Sequence, residues 1–397
     1  MKISKIALCA AAAWVSVGLT AADAKRASHA HHAKHVASVA PAAAAVAAPV
    51  DLTVLPAVPT NYKVKRTSWG DPDLTGIWPI DSLGGLPLQR TVEQGNRVFL
   101  TQEEFDKREK AMDRSRNAAA AETKANKLGM GNWVEMTGAG RRTSLLVAPA
   151  NGRLPDLTPE GKRLQAIGRS SWVRGQTYDW VTDFDSWDRC ITRGFPASML
   201  PFRYNNGIQI FQAPGYVVIS LEMIHDSRII PLDGSPLPPA EVKSWMGASR
   251  GHWEGNTLVI ETSNIRPGAS PLNMATIGAP ANNTIPMSDQ AHVTERLTMT
   301  GPDSIVYEMT FSDPVYWTAP WTTRLDWQRN QKYGMFEYAC HEGDEQVRNY
   351  ITASRAQRAK DKQKLVDQQA AADAAAAAAA AAQQQQQQAL PAKKKKG

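Results

Sequence analysis

The chain contains 397 residues, of which 43% are hydrophobic and 21% are charged, and its formal net charge is +7. The charge is uneven, because residues 1–24 carry +1 and residues 353–397 carry +6, which leaves the central portion near neutrality. The net charge therefore does not support a basic nucleic-acid-binding face on the central portion, and we expect no nucleic-acid partner.

The first 24 residues have the features of a secretory signal peptide. Two lysines precede an apolar run over residues 6–19, and the small-residue triplet Ala22-Asp23-Ala24 follows. This order predicts cleavage after Ala24 and a periplasmic or secreted protein. No later stretch approaches the roughly 18 to 20 apolar residues of a membrane-spanning helix, so we expect no transmembrane anchor.

Two cysteines remain once the signal peptide, which contains Cys9, is removed. Cys190 lies in the sequence DRCITRG and Cys340 lies in YACHEG. In an oxidising compartment, two cysteines with no other partner normally pair, so we predict a disulfide between them. The alternative is a pair of buried free thiols.

Composition divides the chain into segments. Residues 25–60 are rich in Ala, His and Pro and lack periodicity, which predicts a disordered tether. Residues 61–350 are predicted to form a single β-barrel-like domain. Residues 351–397 form a low-complexity Ala/Gln/Lys tail, helical or disordered, because it has no apolar stripe with which to dock. We expect at most a weak contact between its four terminal lysines and an anionic envelope surface.

Two helices are predicted before the β-rich part. Thr101 and Glu104 form a capping-box pattern, which predicts a helix to about residue 117. Thr158-Pro159 predicts a short helix that stops near Gly168. The tryptophan-rich residues 170–206 have little regular pattern, and we predict a long ordered loop at the barrel mouth, held by the disulfide.

Short β-rich segments separated by turn sequences dominate the rest of the chain. The predicted strands are residues 142–147, 208–212, 216–224, 228–231, 248–253, 257–263, 293–299, 304–312, 321–328 and 334–341. Turns such as Pro214-Gly215 and Gly255-Asn256 predict an antiparallel meander, either a closed barrel or a sandwich. The Pro- and Gly-rich insertion at 266–288 is predicted to be a mobile loop.

Side-chain alternation predicts which strand residues face inward. The odd-numbered apolar residues from Ile305 to Phe311 share one face, and Glu308 lies on the other. We expect Glu295 and Glu308 on an outer, solvated face. Glu222 lies in a longer apolar stretch, and this position predicts that its carboxylate is buried with a cationic partner such as Arg228.

Three histidines lie close in sequence to acidic residues. The pairs are His225 with Asp226, His252 with Glu254, and His341 with Glu342. Imidazole titrates near neutral pH and a carboxylate can fix its tautomer, so such pairs suit general acid–base chemistry. Three histidines are also able to bind a metal. None of these three histidines lies in a local His-x-His spacing, however, and we predict neither a metal nor a cofactor.

These observations define a predicted site. The predicted catalytic residues are His225, His341, Glu222 and Asp226. The predicted ligand-binding residues are Arg228, His252, Trp253, Trp317 and Trp321. The tryptophans would supply apolar pocket walls, although core packing explains them equally well.

Several motifs carry a family resemblance. With PDLTGIW, EMIHDSRIIPLDG, WEGNTLVIET and YACHEG in order, residues 70–350 resemble a large group of secreted bacterial proteins of uncharacterised activity. Gly76-Ile77-Trp78 is similar to the Gly-x-Trp opening of lipocalin-like barrels. The resemblance implies a mainly β protein whose antiparallel meander closes into a lipocalin-like barrel, with short helices in N-terminal insertions. It carries over no catalytic residues.

The leading functional hypothesis is periplasmic binding of a small, largely apolar molecule, with acid–base chemistry of a lyase, isomerase or hydrolase. The alternative is a non-catalytic ligand carrier or cell-envelope accessory protein, in which the ionisable residues form buried ion pairs. An enzyme requires at least two of His225, His252 and His341 with a carboxylate in one open pocket, whereas a carrier requires an apolar cavity.

Overall fold

The computed structural model describes residues 51–127, 138, 140–167, 175–266, 268–271 and 284–389. The predicted signal peptide, most of the predicted tether, the helix stop at Gly168 and the terminal lysines lie outside these residues. Among the described residues, no helix is long and apolar enough to cross a membrane.

The described part of the chain is mainly β, as predicted, and its strand pairs are antiparallel. A four-stranded sheet contains, in spatial order, β1 (Gly76–Ile77), β3 (Ile208–Ala213), β4 (Tyr216–Leu221) and β5 (Ser227–Pro231). A six-stranded sheet contains β2 (Leu146–Ala148), β12 (Trp321–Gln328), β11 (Ser304–Ser312), β10 (His292–Gly301), β7 (Thr257–Ser263) and β6 (Ala248–Glu254). Their hydrogen-bonded ladders form separate sheets and do not close into a barrel.

Most predicted strands are present with small shifts at their ends. The predicted strand at 142–147 is shorter and later, because β2 covers only Leu146–Ala148. Within the insertion predicted as a loop, β8 (Gly268–Pro271) pairs with β9 (Thr284–Met287), while residues 267 and 272–283 lie outside the described part.

The predicted strand at 334–341 is wrong. This segment is not part of a ladder, because side chains from a distant turn accept its backbone hydrogen bonds. The amide of Phe336 donates to Glu222 at 3.0 Å, and the amide of Tyr338 donates to His225 Nε2 at 3.1 Å. Two backbone amides of this segment therefore donate to side-chain acceptors and not to the carbonyls of a neighbouring strand.

The predicted helix starts are confirmed. Helix α1 (Gln102–Lys124) begins with a complete capping box, in which Thr101 and Glu104 exchange hydrogen bonds. Hydrogen bonds from Arg97 lower the pKa of Glu104 to about 2. The helix runs past residue 117 because four consecutive alanines, strong helix formers, follow. Helix α2 (Pro159–Ala166) has Thr158 as its N-cap and Pro at its first turn.

The C-terminal tail forms helix α3 (Gln346–Ala389), which contains 44 residues. Contrary to the expectation from its composition, the first turns dock. Tyr350 packs edge-on against Tyr178 at 5.5 Å, and the Tyr178 amide donates to Ser354 Oγ at 2.9 Å. Arg355 and Arg358 both pair with Asp179. A mixture of aromatic, hydroxyl and charged contacts therefore replaces the absent apolar stripe.

Large apolar side chains fill the space between the sheets. Those with the least exposure include Trp78, Tyr307, Phe311, Trp321 and Trp327. Tyr307 stacks on Trp327 with ring centroids 4.6 Å apart. The predicted inward face of β11 is confirmed, because Ile305, Tyr307, Met309 and Phe311 are all fully buried while Glu308 is half-buried.

One ion pair crosses this interior. Arg228 on β5 donates to both carboxylate oxygens of Glu295 on β10, and the two side chains are 1% and 0% exposed. The Tyr307 hydroxyl donates to Glu295 Oε1 at 2.8 Å, and the Phe195 ring lies 4.3 Å from the Arg228 guanidinium. The predicted outward position of Glu295 is therefore wrong.

Alternation explains the buried position. Glu295 shares its face of β10 with Val293 and Leu297, both fully buried, and Arg228 shares its face of β5 with Ile230. Burial works to lower the pKa of Arg228, but the charge and hydrogen bonds of Glu295 raise it overall. The pair connects the four-stranded sheet to the six-stranded sheet.

We expect Glu295→Ala to lower the free energy of unfolding by about 3–5 kcal/mol, because it leaves the Arg228 guanidinium buried without its counter-charge. Glu308→Ala, on the neighbouring strand, is the matched control and should cost about 1 kcal/mol or less. Urea unfolding followed by tryptophan fluorescence measures both variants. Equal losses for the two would show that the ion pair does not hold the sheets together.

Candidate functional site at the Glu222 turn

The apolar run of β4 ends in a turn with unusual backbone geometry. After Leu221 the chain forms a short 3₁₀ turn over Met223–His225, in which Ile224 and His225 have φ angles of 60° and 57°. A β-branched residue in the left-handed region is a genuine outlier and persists only where its surroundings enforce it. This turn, residues 222–226, carries three of the four residues predicted to be catalytic.

Glu222 is the acceptor that organises the turn. It is 2% exposed, and its two carboxylate oxygens accept four hydrogen bonds. The donors are Asn205 Nδ2 at 3.1 Å, the Gly207 amide at 2.9 Å, the Tyr333 hydroxyl at 2.8 Å and the Phe336 amide at 3.0 Å. The predicted burial of Glu222 is confirmed, but Arg228 is not its partner, because Arg228 is paired with Glu295.

His225 and Asp226 follow on the same turn. His225 is exposed, and its Nε2 accepts the Tyr338 amide, which places the proton of a neutral ring on Nδ1. Asp226 is half-buried and accepts a hydrogen bond from Thr192 Oγ1 at 2.5 Å. Burial raises the pKa of Asp226 above the usual carboxyl range, and the Thr192 hydrogen bond and His225 charge oppose this shift.

A small pocket lies beside the turn. Its volume is about 10 Å³, which is room for about one water molecule. The lining residues are Ile80, Arg193, Ser198, Leu200, Asn205, Asn206, Gly207, Ile208, Leu221 and Met223. None of the three histidines named above and none of the predicted ligand-binding residues lines it.

Arg193 is the charged group of this pocket. It is 3% exposed, and its Nη1 donates to the Leu200 carbonyl at 2.7 Å. Its guanidinium lies 4.8 Å from the Phe202 ring and 5.7 Å from the Trp187 ring. Burial lowers the pKa of Arg193 to about 9, while Tyr204 and Tyr338 act in the opposite direction. Arg193 was not among the predicted site residues, although it lies three residues after Cys190 in an aromatic segment, which was a usable signal.

A segment that we name the strap, residues 331–345, packs against the turn and against Gly207, which lines the pocket. The predicted disulfide is confirmed, because Cys340 in the strap bonds to Cys190, 150 positions earlier. Tyr338 stacks on Tyr204 with centroids 6.2 Å apart. At Gly207, which lines the pocket, an added Cβ would overlap the Met335 sulfur and would lie 2.8 Å from the Tyr333 ring.

The other predicted site residues lie elsewhere. His341 is exposed in the strap next to Cys340. His252 is exposed on β6, 3.3 Å from Glu254, so it does not join His225. Trp321 is fully buried and Trp317 packs edge-on against it at 6.4 Å. Trp253 is half-buried against the core. The structure thus brings Glu222, His225 and Asp226 together and places the tryptophans in the core.

No group of three or more His, Cys, Asp or Glu side chains within the described ranges could hold a metal ion. No protein-family model, curated protein or solved structure significantly matches this chain. Geometry and chemistry of the turn, the pocket and the strap therefore carry the functional argument.

We expect Glu222→Gln to lower the free energy of unfolding by about 1–3 kcal/mol, because an amide group replaces one oxygen and points N–H bonds at existing donors. The strap should also loosen, which trypsin cleavage at the exposed Lys332 would detect. Glu337→Gln, an exposed glutamate in the same strap, is the control. If both variants resist trypsin like the unmodified protein, Glu222 does not hold the strap.

Asp226 should give a pH-dependent stability difference. Its raised pKa means that the folded protein binds this proton more tightly than the unfolded chain, so its contribution to stability is present in acid and is lost as pH rises through the folded pKa. Asp226→Asn should therefore unfold at a higher temperature than the unmodified protein at pH 7. The difference should shrink towards pH 3.

Calorimetry at a series of pH values measures this effect. Asp233→Asn is the control, because hydrogen bonds from Ser235 lower the pKa of the exposed Asp233. A gain for both variants, or a gain for Asp226→Asn that does not depend on pH, would contradict the assignment.

Proposed function

We propose that this is an exported, non-catalytic protein that binds a small, largely apolar molecule at the strap-covered end of its β domain. The observation that carries the proposal is the hydrogen bonding of the turn. Glu222 holds four donors of the protein itself, and His225 Nε2 holds the Tyr338 amide. Groups whose acceptor atoms are already occupied by backbone and side-chain donors of the protein itself favour a structural role over that of an open acid–base centre.

The aromatic cluster beside the turn supplies the apolar contacts for such a ligand. Trp187, Phe202 and Met223 form a buried group against which Tyr204 and Tyr338 pack. Phe202 lies edge-on to both Trp187 and Tyr204, at 4.8 Å in each case. Rigid aromatic side chains give a large contact area at a low entropy cost, which suits recognition of an apolar molecule.

We further propose that the two sheets are arcs of one lipocalin-like barrel. Two contacts support closure. Between β5 and β6, a Cβ at Gly251 would lie 2.9 Å from the Ile230 side chain, so these strands are in close packing contact. Between β12 and β1, the amide of Asn330, just after β12, donates to the Ile77 carbonyl of β1 at 2.9 Å. Because large side chains fill the interior, the barrel acts as a support and the ligand binds at its end.

Export is supported by two independent features. The sequence of residues 1–24 has the order of a secretory signal. The disulfide fits an oxidising compartment, since such bonds are rare in the cytosol. We therefore propose a periplasmic or secreted location.

A second candidate function, acid–base catalysis, is favoured by one observation. Asp226 has a raised pKa and lies next to the exposed His225 on a turn with strained backbone. Perturbed carboxyl groups beside strained backbone are common at active sites. In this case Asp226 would hold and release the proton, and the Nδ1–H of the neutral His225 ring would act as a hydrogen-bond donor.

Native mass spectrometry distinguishes these functions. We expect full-length protein purified from the periplasm of an exporting host to carry a small molecule that is released on denaturation. His341→Ala and Asp226→Asn should retain it at the same occupancy, because neither residue contributes to the aromatic cluster. Tyr338→Leu should lose at least tenfold in occupancy because it removes the ring that packs on Tyr204.

The control is Phe336→Leu, an exposed aromatic residue of the same strap. Chemical conversion of the bound molecule that stops in Asp226→Asn would establish the catalytic alternative. Protein that carries no molecule under any growth condition would contradict the binding proposal.

A further inference from the structure

The strap is anchored at both ends and packs against the turn and against Gly207, which lines the pocket. One end follows β12 directly, and the other is fixed at Cys340 by the disulfide to Cys190. Between these anchors, Tyr333 and Phe336 bond to Glu222, and Tyr338 bonds to His225. The Met335 and Tyr333 side chains pack directly onto Gly207. The strap therefore contacts the pocket through Gly207, and none of its own residues is among those that line the pocket.

The covered region combines a cation with aromatic walls. Arg193 is buried, and the faces of Phe202 and Trp187 lie within 4.8 and 5.7 Å of its guanidinium. Asn205, Asn206 and Ser198 complete the polar part of the lining. The lowered pKa of Arg193 reflects the cost of removing a guanidinium from water, which an incoming anion would reduce. Arginine binds carboxylates in a planar, bidentate geometry.

We propose that the strap is a disulfide-locked lid over a binding site for a small carboxylate with an aromatic or apolar body, with Arg193 binding the carboxylate. This inference rests on the proposed binding function and names its ligand class and its control. With the lid closed, the pocket holds about one water molecule. With the lid lifted, the Tyr338 ring separates from the Tyr204 ring, and a ring-sized group stacks between the two rings beside Phe202 and Trp187.

The lid is released by a dithiol. A thiolate of the dithiol attacks one sulfur of the bridge and displaces the other as a thiolate, which takes up a proton. The second thiol of the dithiol then displaces the remaining cysteine. The bridge gains two electrons and two protons in total, and the dithiol is oxidised to a disulfide.

The position of the bridge makes this exchange accessible. Cys190 and Cys340 are half-buried, and their neighbours Ile191 and His341 are exposed. Cys190 also has a left-handed backbone, with φ of 53°. The bridge is thus partly open to solvent, and access is one of the factors that set the rate of thiol–disulfide exchange.

The test uses 4-fluorobenzoate as the probe and the full-length protein. Binding is measured by ¹⁹F NMR titration for the oxidised protein, for the protein after dithiothreitol treatment, and for the double variant Cys190→Ser, Cys340→Ser. We expect the dissociation constant to be at least tenfold lower for the two bridge-free forms. The neutral probe 4-fluorobenzamide should not show this gain.

Arg193→Gln in the bridge-free background should abolish the gain, whereas Arg203→Gln, a half-buried arginine nearby, should keep it. If Arg193→Gln does not fold, the comparison of benzoate with benzamide decides the charge assignment. Equal benzoate affinity with and without the bridge, or benzamide binding as tightly as benzoate, would overturn the proposal. If 4-fluorobenzoate does not bind while native mass spectrometry still finds a bound molecule, the proposed carboxylate site is refuted and the proposed binding function stands.

Discussion

The architecture depends on one buried charge pair between the two sheets. Arg228 comes from the four-stranded sheet and Glu295 from the six-stranded sheet, and each is almost completely removed from water. Two such groups are tolerated only if they meet, so the pair allows one relative position of β5 and β10. The hydroxyls of Tyr307, Ser249 and Thr262 add hydrogen bonds to it. Apolar packing around the pair stabilises many arrangements of sheets, whereas the pair selects one.

That selection also positions the candidate site. β5 begins immediately after the turn at 222–226, so fixing Arg228 fixes the backbone that presents Glu222, His225 and Asp226. The turn then binds the strap through hydrogen bonds to its backbone and side chains. Short connections thus link the core to the turn and the turn to the strap. The disulfide at Cys340 adds a covalent bond at the end of this series of contacts.

Alternation and capping patterns in the sequence were sufficient for most of the fold, because strand faces and helix starts depend on neighbours within a few positions. The same alternation places Glu295 on the face of β10 that carries Val293 and Leu297, which indicates burial. Its charge led to the opposite prediction. The partners of Glu222 could not be predicted from the sequence. Asn205, Tyr333 and Phe336 are distant along the chain and reach Glu222 only through the tertiary fold. Docking of α3 was hidden for a similar reason: two of its half-buried positions, Ser354 and Arg358, are polar.

The length of α3 has a geometric consequence. Its contacts with residues 178–184 end at Arg358, and the helix continues without interruption to Ala389. At 1.5 Å per residue, this undocked part extends for about 45 Å, comparable to the width of a small protein. The far end of the helix at Ala389 is therefore held at a set spacing from the docked end.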